Sequence, residues 1–131
     1  DALPEHTVNV IKSNINIIKP GLIDYNEIEK LYDLMDIFVL PSYREGFPTS
    51  VLEASSMELP VITTKVTGCI DSIINNKTGV FVNHDSHSIA QAIEDFFMDK
   101  EKTLCFGKEG RKYVLDCFDQ TAVWNCIEKM Y

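Results

Sequence analysis

With 131 residues the chain has the length of a single domain built on one core. A composition 45% hydrophobic and 24% charged, with six Gly and five Pro, excludes disordered and fibrous classes. Twelve Lys and Arg against twenty Asp and Glu give a net charge of −8, which repels a phosphate backbone, so nucleic acid is not expected as a partner. No run approaches the roughly 20 apolar residues of a membrane span, and the N-terminus lacks the charged, apolar and small-residue order of a signal peptide. The expectation is a soluble, cytoplasmic protein. Cys69, Cys105, Cys117 and Cys126 stand far apart with no C-x-x-C pair, and read as reduced packing cysteines. His6, His84 and His87 lie in or beside turns without matching ligands, so they read as surface histidines and no metal site is expected.

Pro4 starts an amphipathic helix to Ser13, with Val8, Val10 and Ile11 at loosely helical spacing. The β-branched run Ile15-Asn16-Ile17-Ile18, stopped by Pro20-Gly21, predicts a strand. Asn26 offers an N-cap for a helix to Met35 whose apolar stripe is Ile28, Leu31, Tyr32 and Met35. Asp36 to Leu40 is a nearly continuous apolar run ended by Pro41, which predicts a strand covered on both faces. After the Arg44 to Pro48 loop, Thr49 or Ser50 caps a helix to about Met57, and Pro60 to Thr64 form the next strand. Gly68 opens a short helix from Ile70 to Ile74, and Asn75 to Gly79 turn into a strand over Val80 to Val82. Ser86 caps a helix over Ser88 to Met98, a second runs from near Glu101 to about Cys117, and Asp119 or Thr121 begins a last one through Met130. Tyr113, Phe118, Trp124 and Tyr131 fall in these C-terminal helices as packing residues. Strand and helix alternate four times before the helices take over. That order predicts an α/β fold, a doubly wound, Rossmann-like parallel sheet with additional C-terminal helices.

Ligands of such sheets bind beyond the carboxyl ends of the strands, which directs attention to the segment after Leu40. Gly46 lets backbone approach a ligand with no Cβ in the way. Thr49 to Val51 present unpaired amides at a helix start, an anion site of the kind that holds a diphosphate. Glu45 in the loop and Glu53 one turn into the helix direct two carboxylates toward one crevice, and a carboxylate accepts two hydrogen bonds from vicinal hydroxyls. Each of these has a plainer reading. Ser50-Val51-Leu52-Glu53 is also a capping box, in which Glu53 reaches back to the Ser50 amide. Glu45 is equally a solvated loop acid paired with Arg44, and Phe47 a core anchor for the loop. Asp71, after Gly68, is either a partner of a helix dipole or a group near the site.

Several landmarks then fall in order. They are Leu40 to Pro48, Glu45 and Glu53 with seven residues between them, Val51-Leu52-Glu53-Ala54, Pro60 to Thr63, Thr67-Gly68-Cys69 and Thr78 to Val82. Over Asn16 to Tyr131 this set resembles the C-terminal domain of GT-B-fold glycosyltransferases of family four. The resemblance implies that Glu53 binds the ribose hydroxyls of a nucleotide and that Glu45 lies beside the donor sugar as the catalytic residue. It implies sugar contacts from Gly46 and Phe47, diphosphate contacts from Thr49, Ser50 and Val51, and a place for Pro48 among the same substrate-binding residues. Gly21 and Leu22 correspond to a loop that flanks the base. Also implied are a nucleotide-diphosphate sugar donor, with a UDP-sugar favoured, retention at the anomeric carbon, and no cofactor or required metal. Helix-start amides would stabilise the departing diphosphate.

The resemblance further implies a role in bacterial capsular, exopolysaccharide or lipopolysaccharide assembly. On this reading residues 1–131 are one domain and a fragment, inactive alone. The Gly-rich first strand, the Arg and Lys that clamp the diphosphate, and the N-terminal domain that holds a saccharide or lipid-linked acceptor are expected upstream of Asp1. Association with the inner membrane face belongs only to such a longer protein. Glu58 stands where the family often has Gly, so the preceding helix is expected to end without a left-handed cap. Lys65 and Ile70 also depart from the family pattern and bear on substrate details. The alternative is a non-catalytic nucleotide-sugar-binding or interaction module of the same fold; a sugar-nucleotide epimerase is disfavoured by its different motifs.

Overall fold

Three short strands pair in parallel in the order β1 (Phe38–Leu40), β2 (Val61–Thr64) and β3 (Gly79–Val82). The computed structural model describes residues 3–121, so the expectations for Trp124, Cys126, Tyr131 and the helix through Met130 lie outside the described residues. Phe38 stands opposite Val61, which stands opposite Gly79, and the register runs on through Leu40, Thr63 and Phe81. Because side chains alternate across a strand, this register sorts the apolar residues onto two faces. Ile37, Val39, Ile62, Val80 and Val82 face α4 (Ser86–Met98) and α5 (Lys100–Cys117), packing around Phe96 and Phe106. Phe38, Leu40, Val61 and Phe81 face the opposite way, against Val51 of α3 (Thr49–Ser56) and Ile73. Helices on both faces make the expected doubly wound α/β arrangement. Tyr32 of α2 (Ile28–Asp33) packs beside α3 on Ala54 and Leu59, while α1 (Glu5–Ser13) buries no residue.

Several elements differ from the sequence expectation, each for a local reason. Ile15 to Ile18 form no strand: Asn14 Oδ1 accepts from the Asn16 amide and the Asn14 carbonyl from Ile17, which turns the chain. Ile15 and Ile18 are left 94% and 84% exposed, with no ladder partner among the described residues. Asp24, not Asn26, accepts from the Asn26 amide and opens a 3₁₀ turn (Tyr25–Glu27) ahead of α2. Asp85, not Ser86, caps α4 through the Ser88 amide, and Asp99 caps α5 through that of Lys102. The helix expected from Ile70 to Ile74 is replaced by turns. Gly68 sits at φ +89°, and the Ser72 hydroxyl donates to the Cys69 carbonyl, drawing backbone acceptors away from a helical ladder.

The end of α3 also departs from expectation. Glu58 itself adopts the left-handed conformation, at φ 61°. Its amide donates to Ser55 and the Leu59 amide to Ala54, the paired bonds of a Schellman cap, with Leu59 packed against Ala54. The cap is therefore present without glycine. Helix α5 is seated on it, because Gly107 presents no Cβ to the Glu58 carbonyl, which such a carbon would overlap.

Two substitutions test this joint by urea denaturation. Glu58→Gly relieves the left-handed strain and is expected to raise stability by about 0.5–1 kcal/mol. Gly107→Ala forces α5 off the cap and is expected to cost about 1–3 kcal/mol.

At the edge of the sheet, β3 is flanked by the turn over residues 75–79 that leads into it. Asn75 Oδ1 accepts from the Phe81 amide at 2.9 Å, and the Asn76 amide donates to the Gly79 carbonyl at 2.8 Å.

Candidate functional site

Beyond the carboxyl ends of the strands three loops meet, and their backbones are tied together before any side chain reaches solvent. The buried Thr63 hydroxyl donates to the Leu40 carbonyl at 2.9 Å, and that of buried Thr64 to the Ser42 carbonyl. The same Ser42 carbonyl accepts from Nε2 of His84, whose ring stacks on Tyr43 with centroids 4.2 Å apart and planes at 7°. Gly68, on the loop after β2, lies directly against the carbonyls of Glu45 and Gly46, where a Cβ would overlap both. A glycine is thus required at Gly68 by close approach as well as by its positive φ. Gly46 is in open space, so the structure leaves its surface free for a neighbour.

Phe47 is 42% exposed and anchors the loop: its ring lies 5.5 Å from that of Phe118, which meets Tyr113 edge-on at 5.4 Å. The Tyr113 hydroxyl then donates to the Asp71 carbonyl at 3.0 Å. Asp71 therefore serves through its backbone, outside any helix. Arg44 makes no ion pair with Glu45 among the described residues.

At the start of α3 the residue ahead of the helix is buried Pro48, and no side chain caps it. Neither Thr49 nor Ser50 acts as the expected cap. Of the three amides expected to be open, two are taken: Thr49 donates to the Phe47 carbonyl and Val51 to that of Pro48, both at 3.0 Å. Thr49 closes a γ-type turn on Phe47 and Val51 a 3₁₀-type turn on Pro48, which leaves the Ser50 amide free of a backbone partner. The helix start keeps its dipole but offers one amide of the three.

Glu53 does not close a capping box. Its Oε2 accepts from the Tyr32 hydroxyl at 2.8 Å, joining α3 to α2, and among the described residues no protein group binds its Oε1. Both side chains line a cavity of about 370 Å³ that also borders Tyr25, Asn26, Ser56 and Met57. Glu45, half-buried on the loop after β1, does not line it, and neither do Gly21, at φ +77°, and Leu22, which is fully exposed. A larger cavity, of about 460 Å³, lies along β3 and α4 and contains none of the expected site residues. Among the described residues no cluster of His, Cys, Asp or Glu could hold a metal ion, and no helix is long and apolar enough to cross a membrane. Cys69 is buried and free, while Cys105 and Cys117 are free and exposed.

Spacing did not reveal Tyr32 and His84 as site-organising residues. Tyr32 was legible as part of an apolar stripe; the signal it also carried is a polar tip on a buried side chain, which needs a partner.

The profile of the glycosyl transferases group 1 family matches residues 11–113. The chain belongs to this family. It is 42% identical over 101 residues, 76% of its length, to CapM, a capsular polysaccharide biosynthesis glycosyltransferase of Staphylococcus aureus, and covers 27% of that protein. Its fold matches sucrose-phosphate synthase of Thermosynechococcus elongatus with a TM-score of 0.86 and 28% identity, covering 97% of this chain and 32% of that one. It also matches the C-terminal domain of the group 1 family protein LpcC from Francisella tularensis, at TM-score 0.78 and 29% identity over 88% of this chain and 60% of that one. The fold is that of GT-B glycosyltransferases. The chain thus spans about a quarter of the curated relative's length.

The Tyr32–Glu53 bond has a consequence for stability against pH. Burial pushes the Tyr32 phenol above its ordinary value of 10.0, and the hydrogen bond and charge of Glu53 push the same way. The folded state therefore holds this proton more tightly than the unfolded one. That stability is fully present below about pH 10 and is lost as pH rises further. Urea midpoints followed from about pH 8 to about pH 11 are expected to fall more steeply for the wild type than for Tyr32→Phe.

Proposed function

We propose that the chain is the donor domain of a retaining hexosyltransferase of bacterial surface-polysaccharide assembly, and that it binds a nucleotide-diphosphate sugar. The observation that carries this reading is Glu53, a carboxylate freed from helix capping, held by Tyr32 and directed at a cavity with Oε1 unpartnered among the described residues. Such an acceptor suits the vicinal hydroxyls of a ribose. In this proposal the Ser50 amide and the α3 dipole meet the diphosphate, while the Thr49 and Val51 amides, bonded to Phe47 and Pro48, hold the turn that presents it. Pro48 shapes that turn, Gly46 and Phe47 line the sugar, Glu45 stands beside the reacting carbon, and Gly21 and Leu22 flank the base. Uridine is the favoured base, and no cofactor or metal takes part. Similarity to CapM supports the pathway, and similarity to the Francisella C-terminal domain supports the same placement in a longer protein. The acceptor, a saccharide or a lipid-linked one, would be bound by a part of that protein beyond this chain, which alone transfers nothing. Any contact with the inner membrane face belongs to that protein too.

Titrating the chain with UDP, GDP and ADP by NMR tests the proposal. Shifts at Ser50 and Glu53 are expected, strongest with UDP. Glu53→Gln keeps an acceptor for Tyr32 and is expected to leave stability unchanged while weakening binding about tenfold or more. Unchanged affinity in that variant would exclude the ribose role. In the longer protein, a transfer rate unaltered by Glu45→Ala would remove Glu45 from the reaction.

A further inference from the structure

Tyr32 is 6% exposed, with its ring packed 5.9 Å from Phe38, yet its hydroxyl reaches out of the core to Glu53, twenty-one positions along the chain. A glutamate on a half-exposed helix face samples several rotamers, and a ligand that needs one of them must freeze the rest. The hydroxyl removes that freedom in advance. It occupies Oε2 and leaves Oε1 without a protein partner among the described residues, beside the cavity that Glu53 lines, so the carboxylate enters binding already oriented.

We propose that Tyr32 is a positioning residue for diol recognition, which sets how strongly this site prefers a nucleotide with both ribose hydroxyls over one lacking them. The inference rests on the donor-site reading of Glu53. It assigns Tyr32 no contact with the ligand. Removing its hydroxyl should therefore weaken the preference for the diol without weakening attachment of the rest of the nucleotide. A merely structural role for Tyr32 would instead weaken all nucleotides alike.

The test measures dissociation constants of the chain for UDP and for 2′,3′-dideoxy-UDP by NMR titration. The wild type is expected to prefer UDP by about tenfold or more, the scale of a hydrogen bond to a charged group. In Tyr32→Phe the preference is expected to shrink to about threefold or less while affinity for the dideoxy compound stays unchanged. A variant that keeps the full wild-type preference, or loses affinity for both ligands equally, overturns the positioning role and leaves the donor site standing. A wild type that binds neither ligand, or does not distinguish them, overturns the donor-site reading and this inference with it. If Tyr32→Phe lacks the amide dispersion of a folded chain, the wild type still decides. The Tyr32 Cζ and Glu53 carboxyl carbon resonances are expected to shift together with UDP and to stay still with the dideoxy compound. A Tyr32 resonance indifferent to both ligands, while Glu53 responds to UDP, overturns the proposal.

Discussion

The carbonyl oxygen of Ser42 accepts two hydrogen bonds, one from the Thr64 hydroxyl on β2 and one from the His84 ring after β3. Thr64 is wholly buried, so without this acceptor its hydroxyl would be an orphan costing about 1–3 kcal/mol. One atom at the end of β1 therefore gathers the ends of all three strands. The path of the loop from Pro41 to Pro48 follows from it, reinforced by Gly68 beneath Glu45 and by Phe47 against Phe118. The start of α3, and the height at which Glu53 leaves that helix, are set by where the loop ends.

How much of this was legible depends on the distance over which each feature is decided. The buried strand β2 and the helices α4 and α5 are governed by their own apolar spacing, and the sequence shows them within a residue or two. The caps were misplaced by one or two residues because Asp24 and Asp85 stand next to other residues that cap equally well in isolation. Ile15 to Ile18 read as a strand because β-branched runs favour one, but a strand exists only against a partner, and pairing is not a local property. In the sequence Gly68 reads as a break that opens a helix; its contact with Glu45 and Gly46, which local sequence does not show, is what fixes its conformation.

The site was legible to the same degree. Segment 44–53 stands out in the sequence because motif and topology point to one place. The meaning of Glu53 was undecidable from spacing alone, since a capping box and a free carboxylate share one pattern. The choice is made by Tyr32, on another helix. In the same way, three amides look open in the sequence. A tight first turn, imposed by the Phe47-Pro48 corner, consumes two of them. An acidic chain with a single unpaired amide among those three carries little local positive potential at this helix start.

The turn beside β3 bears on how the protein behaves in a crowded solution. A bare sheet edge is a template on which another chain can crystallise its own backbone, and the route to fibrous aggregates begins there. On β3 the outward Phe81 amide is spent on Asn75 and the Gly79 carbonyl on the Asn76 amide. The molecule thus supplies a counterfeit neighbour made from its own turn, and two of the groups on which a foreign strand would pair are already taken on that side.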